Sequence, residues 1–235
     1  MSDTLFYSPT IEQDRMLPET ESHHCVKVLR KQPGDAITVT DGQGVFYDCS
    51  LVDAHPKKCM VQIHGILKQP KSWPIRLHVA FAPTKQMERN EWFVEKATEI
   101  GVDKFVPMRC GFSERKDLKQ ERLNKIMVSA MKQSKQAVLP QLTPISSFEE
   151  VILTPFDGRK FIAHCYETEK QPLAQTYRKG ENVLVLIGPE GDFTPEEVNQ
   201  ATQNGFESVN LGTNRLRTET ACLVALHTIH VINHL

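Results

Sequence analysis

The stretch NVLVLIGPEGDFTPEEV, residues 182–198, decides the fold of this 235-residue chain. An unbroken apolar run leads into a loop with two glycines and a proline, and then into a pattern typical of a helix start. Thr194 can cap this helix, with Pro195 in its first turn, and Glu197 completes a capping box. A bare apolar run of this kind predicts a strand buried on both faces, as in parallel sheets covered by helices.

A second stretch, VNLGTNRLRTETACLVAL at residues 209–226, repeats the order of strand, glycine-containing loop and helix start. In open α/β sheets, ligands bind beyond the carboxyl ends of the strands, in loops that lead into helices. Gly188 and Gly191 lack a Cβ atom, so a ligand can approach the main chain of the first loop. Neither loop has the pattern of a P-loop or of a dinucleotide-binding turn. Two ordinary strand-to-helix turns are one interpretation; a pocket for a flat, polar-edged group such as adenine with its ribose is the other.

The rest of the chain divides into two regions by pattern. Up to about residue 69, short alternating runs and the turn DGQG predict a small antiparallel sheet or barrel, preceded by a short helix within residues 19–35. The proline- and lysine-containing stretch at residues 68–74 is the candidate linker. Beyond it, strands alternate with helices, including predicted helices at residues 85–101 and 218–235, and this alternation predicts an α/β domain with a mostly parallel sheet.

Composition limits the function classes. The net charge is −1, but residues 109–135 carry eight basic and three acidic side chains, which is either a footprint for nucleic-acid phosphates or a solvated helix face. No apolar run reaches the roughly 18 residues that span a bilayer, and the first residues lack a secretory signal pattern. Six scattered cysteines favour free thiols, and the adjacent His23 and His24 have no further ligands at a zinc spacing. We therefore expect a cytoplasmic protein with no membrane contact and no metal.

Several motifs together resemble the RsmE family, whose members methylate uridine N3 in ribosomal RNA of the small subunit and belong to the SPOUT superfamily. LIGPEGDFTPEE and LGTNRLRTETA are similar to its paired C-terminal motifs. HHCVKVLRKQPGD, EKATEIGVDKFVPMRCGFSERK and ERLNKIMVSAMKQSKQAVLP are similar to its earlier segments, in the same order. The resemblance covers nearly the whole chain.

The resemblance implies a fold, a cofactor and partners. The fold would be α/β, with an N-terminal PUA-like β-barrel at residues 1–70 that binds RNA, and a C-terminal SPOUT methyltransferase domain at residues 75–235 with a trefoil knot. The cofactor would be S-adenosyl-L-methionine (SAM). The partners would be ribosomal RNA or the small ribosomal subunit, and a second copy of the chain.

Site residues follow from the same resemblance. Cofactor-binding positions would be Leu186, Ile187, Gly188, Pro189, Glu190, Gly191, Leu211, Gly212, Leu216, Thr218, Thr220 and Ala221. RNA-binding positions would be His24, Arg30, Lys31, Lys85, Arg109, Arg115, Arg122 and Lys135. From the chemistry of N3 methylation, our candidate donor to the uracil oxygens is Arg217, and the candidate proton acceptors are Glu219 and Glu190. Helix capping is the alternative role for Thr218 and structural hydrogen bonding is the alternative for Glu190.

Two positions depart from the family pattern. Asp192 stands where the loop usually has glycine, and Gln136 stands where a basic residue is usual. Asp192 adds a charge beside the expected cofactor site. Either Lys135 compensates for Gln136 from the neighbouring position, or one RNA contact is missing. The alternative functions are methylation of another RNA, such as transfer RNA, and a non-catalytic RNA-binding assembly factor.

Overall fold

The computed structural model describes residues 4–235, so the first three residues of the predicted domain 1–70 lie outside it. The chain forms two compact units. One contains the residues up to Ser72 together with Val128–Leu139, and the other contains Trp73–Met127 together with Pro140–Leu235. Within the described range, no helix is long and apolar enough to cross a membrane.

The first unit is built on a four-stranded sheet with the order β1-β2-β3-β4. Its elements are β1 (Leu5–Tyr7), α1 (Ile11–Asp14), α2 (Glu19–His23), a π-helix (His24–Val28), β2 (Ala36–Thr40), β3 (Val45–Asp53) and β4 (Met60–Lys68). The antiparallel pairing predicted from the alternating runs is confirmed for β2, β3 and β4. The sequence did not predict β1, which lies parallel to β2.

The predicted helix at residues 19–35 is shorter than expected. It ends at Val28, and Arg30 then adopts a left-handed backbone with φ of 54°. A left-handed residue turns the chain out of the right-handed helix. The helix therefore stops before Pro33 and Gly34, the residues that the sequence pattern indicated as its end.

The turn between β2 and β3 requires a glycine. Gly42 has φ of 76°, and a Cβ atom there would lie 2.9 Å from the ring of Tyr7. The segment Val128–Leu139 packs beside this turn, because Gly44 donates its N–H to the carbonyl of Ala137 at 2.9 Å. These contacts explain why a stretch distant in sequence belongs to the first unit.

The second unit is built on a larger sheet. Its strands are β5 (Leu77–Phe81), β6 (Lys104–Arg109), β7 (Gln141–Leu142), β8 (Ser146–Ser147), β9 (Arg159–Ala163), β10 (Gln171–Pro172), β11 (Val183–Ile187) and β12 (Glu207–Asn210). The strand order is β10-β12-β9-β11-β5-β6-β7, with β8 also beside β6, and every pairing is parallel. The predicted parallel sheet is confirmed.

Helices connect the strands of this unit. They are α3 (Met87–Ile100), α4 (Gln120–Gln133, which ends in the first unit), α5 (Phe148–Leu153), α6 (Leu173–Thr176), α7 (Pro195–Gln203) and α8 (Thr218–His234). The capping box of α7 is confirmed: Thr194 accepts from the Glu197 N–H, and the Glu197 carboxylate accepts from the Thr194 N–H. All five residues of β11 are buried, which confirms a central strand covered on both faces.

Candidate active site

A cavity of about 620 Å³ lies at the carboxyl ends of β9, β11 and β12. This volume falls within the range of roughly 300–1,000 Å³ that is typical of small-molecule sites. Its walls come from three loops. The lining residues are Ala163, His164, Cys165, Lys170, Ile187, Gly188, Pro189, Glu190, Asp192, Val209, Asn210, Leu211, Gly212, Thr213, Asn214, Arg215, Leu216, Arg217, Thr218 and Ala221.

The two glycine loops are joined by a hydrogen bond beneath the cavity. Thr218, the first residue of α8, donates its hydroxyl to the carbonyl of Gly188 at 3.1 Å, and both residues are buried. Thr218 does not cap the helix, because Arg217 occupies the N-cap position and makes no side-chain capping bond. The threonine hydroxyl therefore holds the start of one loop against the end of the other.

Nine of the twelve predicted cofactor positions line this cavity: Ile187, Gly188, Pro189, Glu190, Leu211, Gly212, Leu216, Thr218 and Ala221. The other three are Leu186, Gly191 and Thr220. Leu186 is fully buried in the hydrophobic core on one face of the sheet. Gly191 lies against Phe112, where an added Cβ atom would be 2.9 Å from the phenylalanine Cβ.

The predicted catalytic residues differ in their positions. Arg217 is exposed and lines the cavity. Glu219 is buried outside the lining, with one carboxylate oxygen 3.7 Å from the guanidinium of Arg89. Glu190 accepts the main-chain N–H of Lys85 at 3.0 Å, so its carboxylate has the structural hydrogen bond that was the alternative interpretation.

A third loop, after β9, was not expected from the sequence. Lys170 reaches back across this loop and donates to the carbonyls of His164 at 2.7 Å and Tyr166 at 2.6 Å. Burial is the main cause that lowers the pKa of Lys170. Burial is also the main cause that lowers the pKa of His164, and the positive charge of Lys170 lowers it further. The pattern KFIAHC at residues 160–165 predicts a strand that includes His164 and Cys165, whereas β9 ends at Ala163 and both residues lie in the loop.

Asp192 connects this third loop to the first glycine loop. Its Oδ2 accepts the main-chain N–H of Cys165 at 2.7 Å. Burial of the Cys165 thiol and the nearby negative charge of Asp192 raise the pKa of that thiol. The cysteine is therefore held in its neutral form and does not offer a nucleophilic thiolate to the cavity.

The cavity carries both signs of charge. Its basic side chains are Lys170, Arg215 and Arg217, and its acidic side chains are Glu190 and Asp192. The start of α8 adds the partial positive charge of a helix N-terminus. This distribution suits a zwitterionic ligand, with its anionic group toward the helix start and its cationic group toward a carboxylate.

The predicted RNA-binding residues fall in both units. His24, Arg30, Lys31 and Lys135 belong to the first unit, and Lys85, Arg109, Arg115 and Arg122 belong to the second. All are at least partly exposed.

Three of the four cations in the second unit have partners within that unit. Arg115 donates to the carbonyls of Thr84 and Lys85, which supports the chain leading into α3. Arg122 contacts the carboxylate of Glu91 at 2.6 Å. Lys85 pairs with Glu114 at 2.8 Å, and this contact raises the lysine pKa.

Comparisons with known proteins place this architecture in a family. A family model described as an RNA methyltransferase domain matches residues 71–230, and a model described as an RNA methyltransferase PUA domain matches residues 17–63. The chain is 29% identical, over 222 residues, to the ribosomal RNA small subunit methyltransferase E of Bacillus subtilis, covering 89% of this chain and 86% of the relative.

Solved structures give the same result. The probable rRNA-methyltransferase from Porphyromonas gingivalis is 45% identical, with a TM-score of 0.94 over 98% of both chains. The ribosomal RNA small subunit methyltransferase E from Neisseria gonorrhoeae, described as bound to S-adenosyl methionine, is 26% identical, with a TM-score of 0.87 over 97% of both chains. This chain belongs to the ribosomal RNA small subunit methyltransferase E (RsmE) family of RNA methyltransferases.

Proposed function

We propose that this protein is a SAM-dependent methyltransferase that transfers a methyl group to N3 of a uridine in 16S ribosomal RNA. The observation that carries the proposal is that the two glycine loops, which the bond from Thr218 to Gly188 holds together, line one cavity with the loop after β9. The names of the family relatives indicate the RNA that is modified, and the N. gonorrhoeae relative is described as bound to SAM.

The residues of the cavity fit this cofactor. Ile187, Leu211 and Leu216 supply apolar side chains for the faces of an adenine ring, and the adjoining main chain supplies donors and acceptors for its edge. The charged side chains suit the zwitterionic methionyl part. When bound, SAM supplies an electrophilic methyl group; the protein supplies its position relative to the base.

Arg217 is the proposed catalytic residue. Methylation of N3 requires the uracil imide to lose a proton, and negative charge then develops on the ring oxygens. A guanidinium that lines the cavity can donate hydrogen bonds to this charge where it develops.

Glu219 is the proposed proton acceptor, and the structure sets a condition on that role. Its carboxylate faces Arg89 and does not line the cavity. The side chain must therefore turn toward the cavity when RNA is bound. Glu190 is the less favourable candidate because one of its oxygens already accepts the Lys85 N–H.

The proposed domain roles follow the family resemblance. Residues 1–70 would bind RNA and residues 75–235 would carry out methyl transfer. A PUA-like barrel and a trefoil knot are part of this proposal; the knot is supported by the strand order, in which β9 lies between β11 and β12. A homodimer is supported by α8, where Val231 is 41% exposed on a helix otherwise rich in buried apolar residues.

The test is mass spectrometry of 16S ribosomal RNA from cells with and without the gene, followed by methylation with the purified protein. N3-methyluridine should disappear without the gene and return with the wild-type protein. Arg217→Ala should lower the single-turnover rate by about 100-fold, the effect of losing one oxyanion donor. The exposed Arg178→Ala is the control and should retain the wild-type rate. Ribose methylation, or no change in the RNA, would contradict the proposal.

A further inference from the structure

Asp192 has an unusual backbone conformation beside the cavity. Its φ is 68°, in the left-handed region, and only three other described residues besides glycines share a positive φ. Aspartate tolerates this region better than most residues, but glycine occupies it at no steric cost. A side chain kept in such a position suggests that its chemistry is used there.

Hydrogen bonds fix the orientation of the Asp192 carboxylate. Oδ2 accepts the N–H of Cys165 at 2.7 Å, and Oδ1 accepts the N–H of Phe193 at 2.8 Å. Each carboxylate oxygen can accept a second bond, so acceptor capacity remains on a group that lines the cavity.

No basic side chain in residues 4–235 forms an ion pair with Asp192. The nearest candidate on the third loop, Lys170, instead directs its ammonium to the carbonyls of His164 and Tyr166. The carboxylate therefore keeps its negative charge available within the cavity, whose lining also carries Arg215, Arg217 and the positive start of α8.

We propose that Asp192 recognises the positive charge of the methionyl part of the cofactor, either its sulfonium or its α-ammonium group. The inference rests on the proposed function and adds to it a specificity-determining residue of this chain. The rigid carboxylate of Asp192 attracts the cationic groups, and the basic side chains of the lining attract the carboxylate of the same ligand. Charges of both signs in one lining would distinguish the cationic groups of the ligand from its anionic group.

The test measures affinity by calorimetry for three ligands. SAM carries both cationic groups, S-adenosylhomocysteine keeps only the ammonium, and methylthioadenosine has neither. Asp192→Asn keeps an oxygen that can accept the Cys165 N–H but loses the negative charge. Asp192→Gly relieves the backbone strain but loses both the acceptor oxygen and the negative charge. The exposed Glu196→Gln, on α7 outside the cavity lining, is the control for removing one negative charge.

Asp192→Asn should weaken SAM binding by about tenfold, as expected for loss of a charge-assisted contact. Methylthioadenosine binding should stay within twofold, and Glu196→Gln should match the wild type for all ligands. A loss confined to SAM assigns the contact to the sulfonium, and an equal loss for S-adenosylhomocysteine assigns it to the ammonium. Asp192→Gly should weaken SAM binding at least as much as Asp192→Asn does.

Two results would overturn the inference while leaving the proposed function intact. Unchanged affinities of Asp192→Asn for all three ligands would show that the charge is not recognised. Equal weakening for all three, including methylthioadenosine, would show that Asp192 only supports the loop. A wild-type protein that binds none of the ligands would overturn the proposed function and this inference together.

Discussion

The hydrogen bond that joins the two glycine loops can be removed with almost no change in shape. In Thr218→Val, a methyl group replaces the hydroxyl that donates to the Gly188 carbonyl at 3.1 Å. The valine keeps the β-branched shape, so the substitution leaves no cavity. The buried carbonyl of Gly188 loses its donor.

The expected magnitude follows from this geometry. A typical hydrogen bond contributes about 1 kcal/mol net, but a buried acceptor left without a partner costs about 1–3 kcal/mol. Thr218 is only 5% exposed, so water does not readily replace the lost donor. We expect the free energy of unfolding to fall by about 1–3 kcal/mol, measured by urea denaturation.

Thr202→Val is the matched control. Its hydroxyl donates to the carbonyl of Val198 at 2.9 Å, but on the exposed side of α7, where water can replace it. The control should lie within about 0.5 kcal/mol of the wild type.

Thr218→Val should also weaken SAM binding. If the unbonded loops must be reordered when the ligand binds, a cost of about 1.4 kcal/mol corresponds to a tenfold weaker affinity by calorimetry. A Thr218→Val protein that matches Thr202→Val in both stability and SAM affinity would refute the view that this bond holds the cavity together.

Three further predictions concern stability and RNA binding. Thr194→Ala removes the cap of α7 and should lower the free energy of unfolding by about 1 kcal/mol in urea denaturation. His230 is buried, and its Nε2 contacts the Gly101 carbonyl at 2.7 Å; burial is the largest cause that lowers its pKa. The unfolded chain therefore binds more protons than the folded chain below a pH of about 6.5. The free energy of unfolding should fall as the pH is lowered from 7.5 to 5.5. Replacement of His230 by Gln should reduce this fall, as judged from urea midpoints at each pH. RNA affinity should decrease steeply with salt, and Arg30→Ala should reduce the magnitude of the slope of log K against log salt by about one unit. A slope in Arg30→Ala equal to that of the wild type would show that Arg30 does not contact a phosphate.

The elements that the sequence predicted well are those encoded by neighbouring residues. The run before Gly188 gave the buried strand, and Thr194 with Glu197 gave the start of α7, because capping and burial depend on residues a few positions apart. The same local signals located both glycine loops. They could not show that Thr218 donates to Gly188, since that bond joins residues 30 positions apart.

The segment at residues 109–135, with its eight basic side chains, shows a second limit of local patterns. Its surplus of charge was visible in the sequence, but a count of cations does not show which ones have partners. Arg115 supports two carbonyls and Arg122 pairs with Glu91, so both already have structural contacts. Screened, exposed ion pairs of this kind contribute little to stability, and phosphate oxygens can compete for the same guanidinium groups.

The third loop was missed because strand order is a property of the whole sheet. The chain leaves β9, forms β10 at the far edge, and returns to place β11 beside β9. Only this order brings Cys165 within 2.7 Å of the Asp192 carboxylate, although the two residues are 27 positions apart. The sequence shows only that Asp192 adds a negative charge at a position where the family loop usually has glycine. The fold fixes the direction of that charge through the N–H groups of Cys165 and Phe193 and places it in the lining of the cavity.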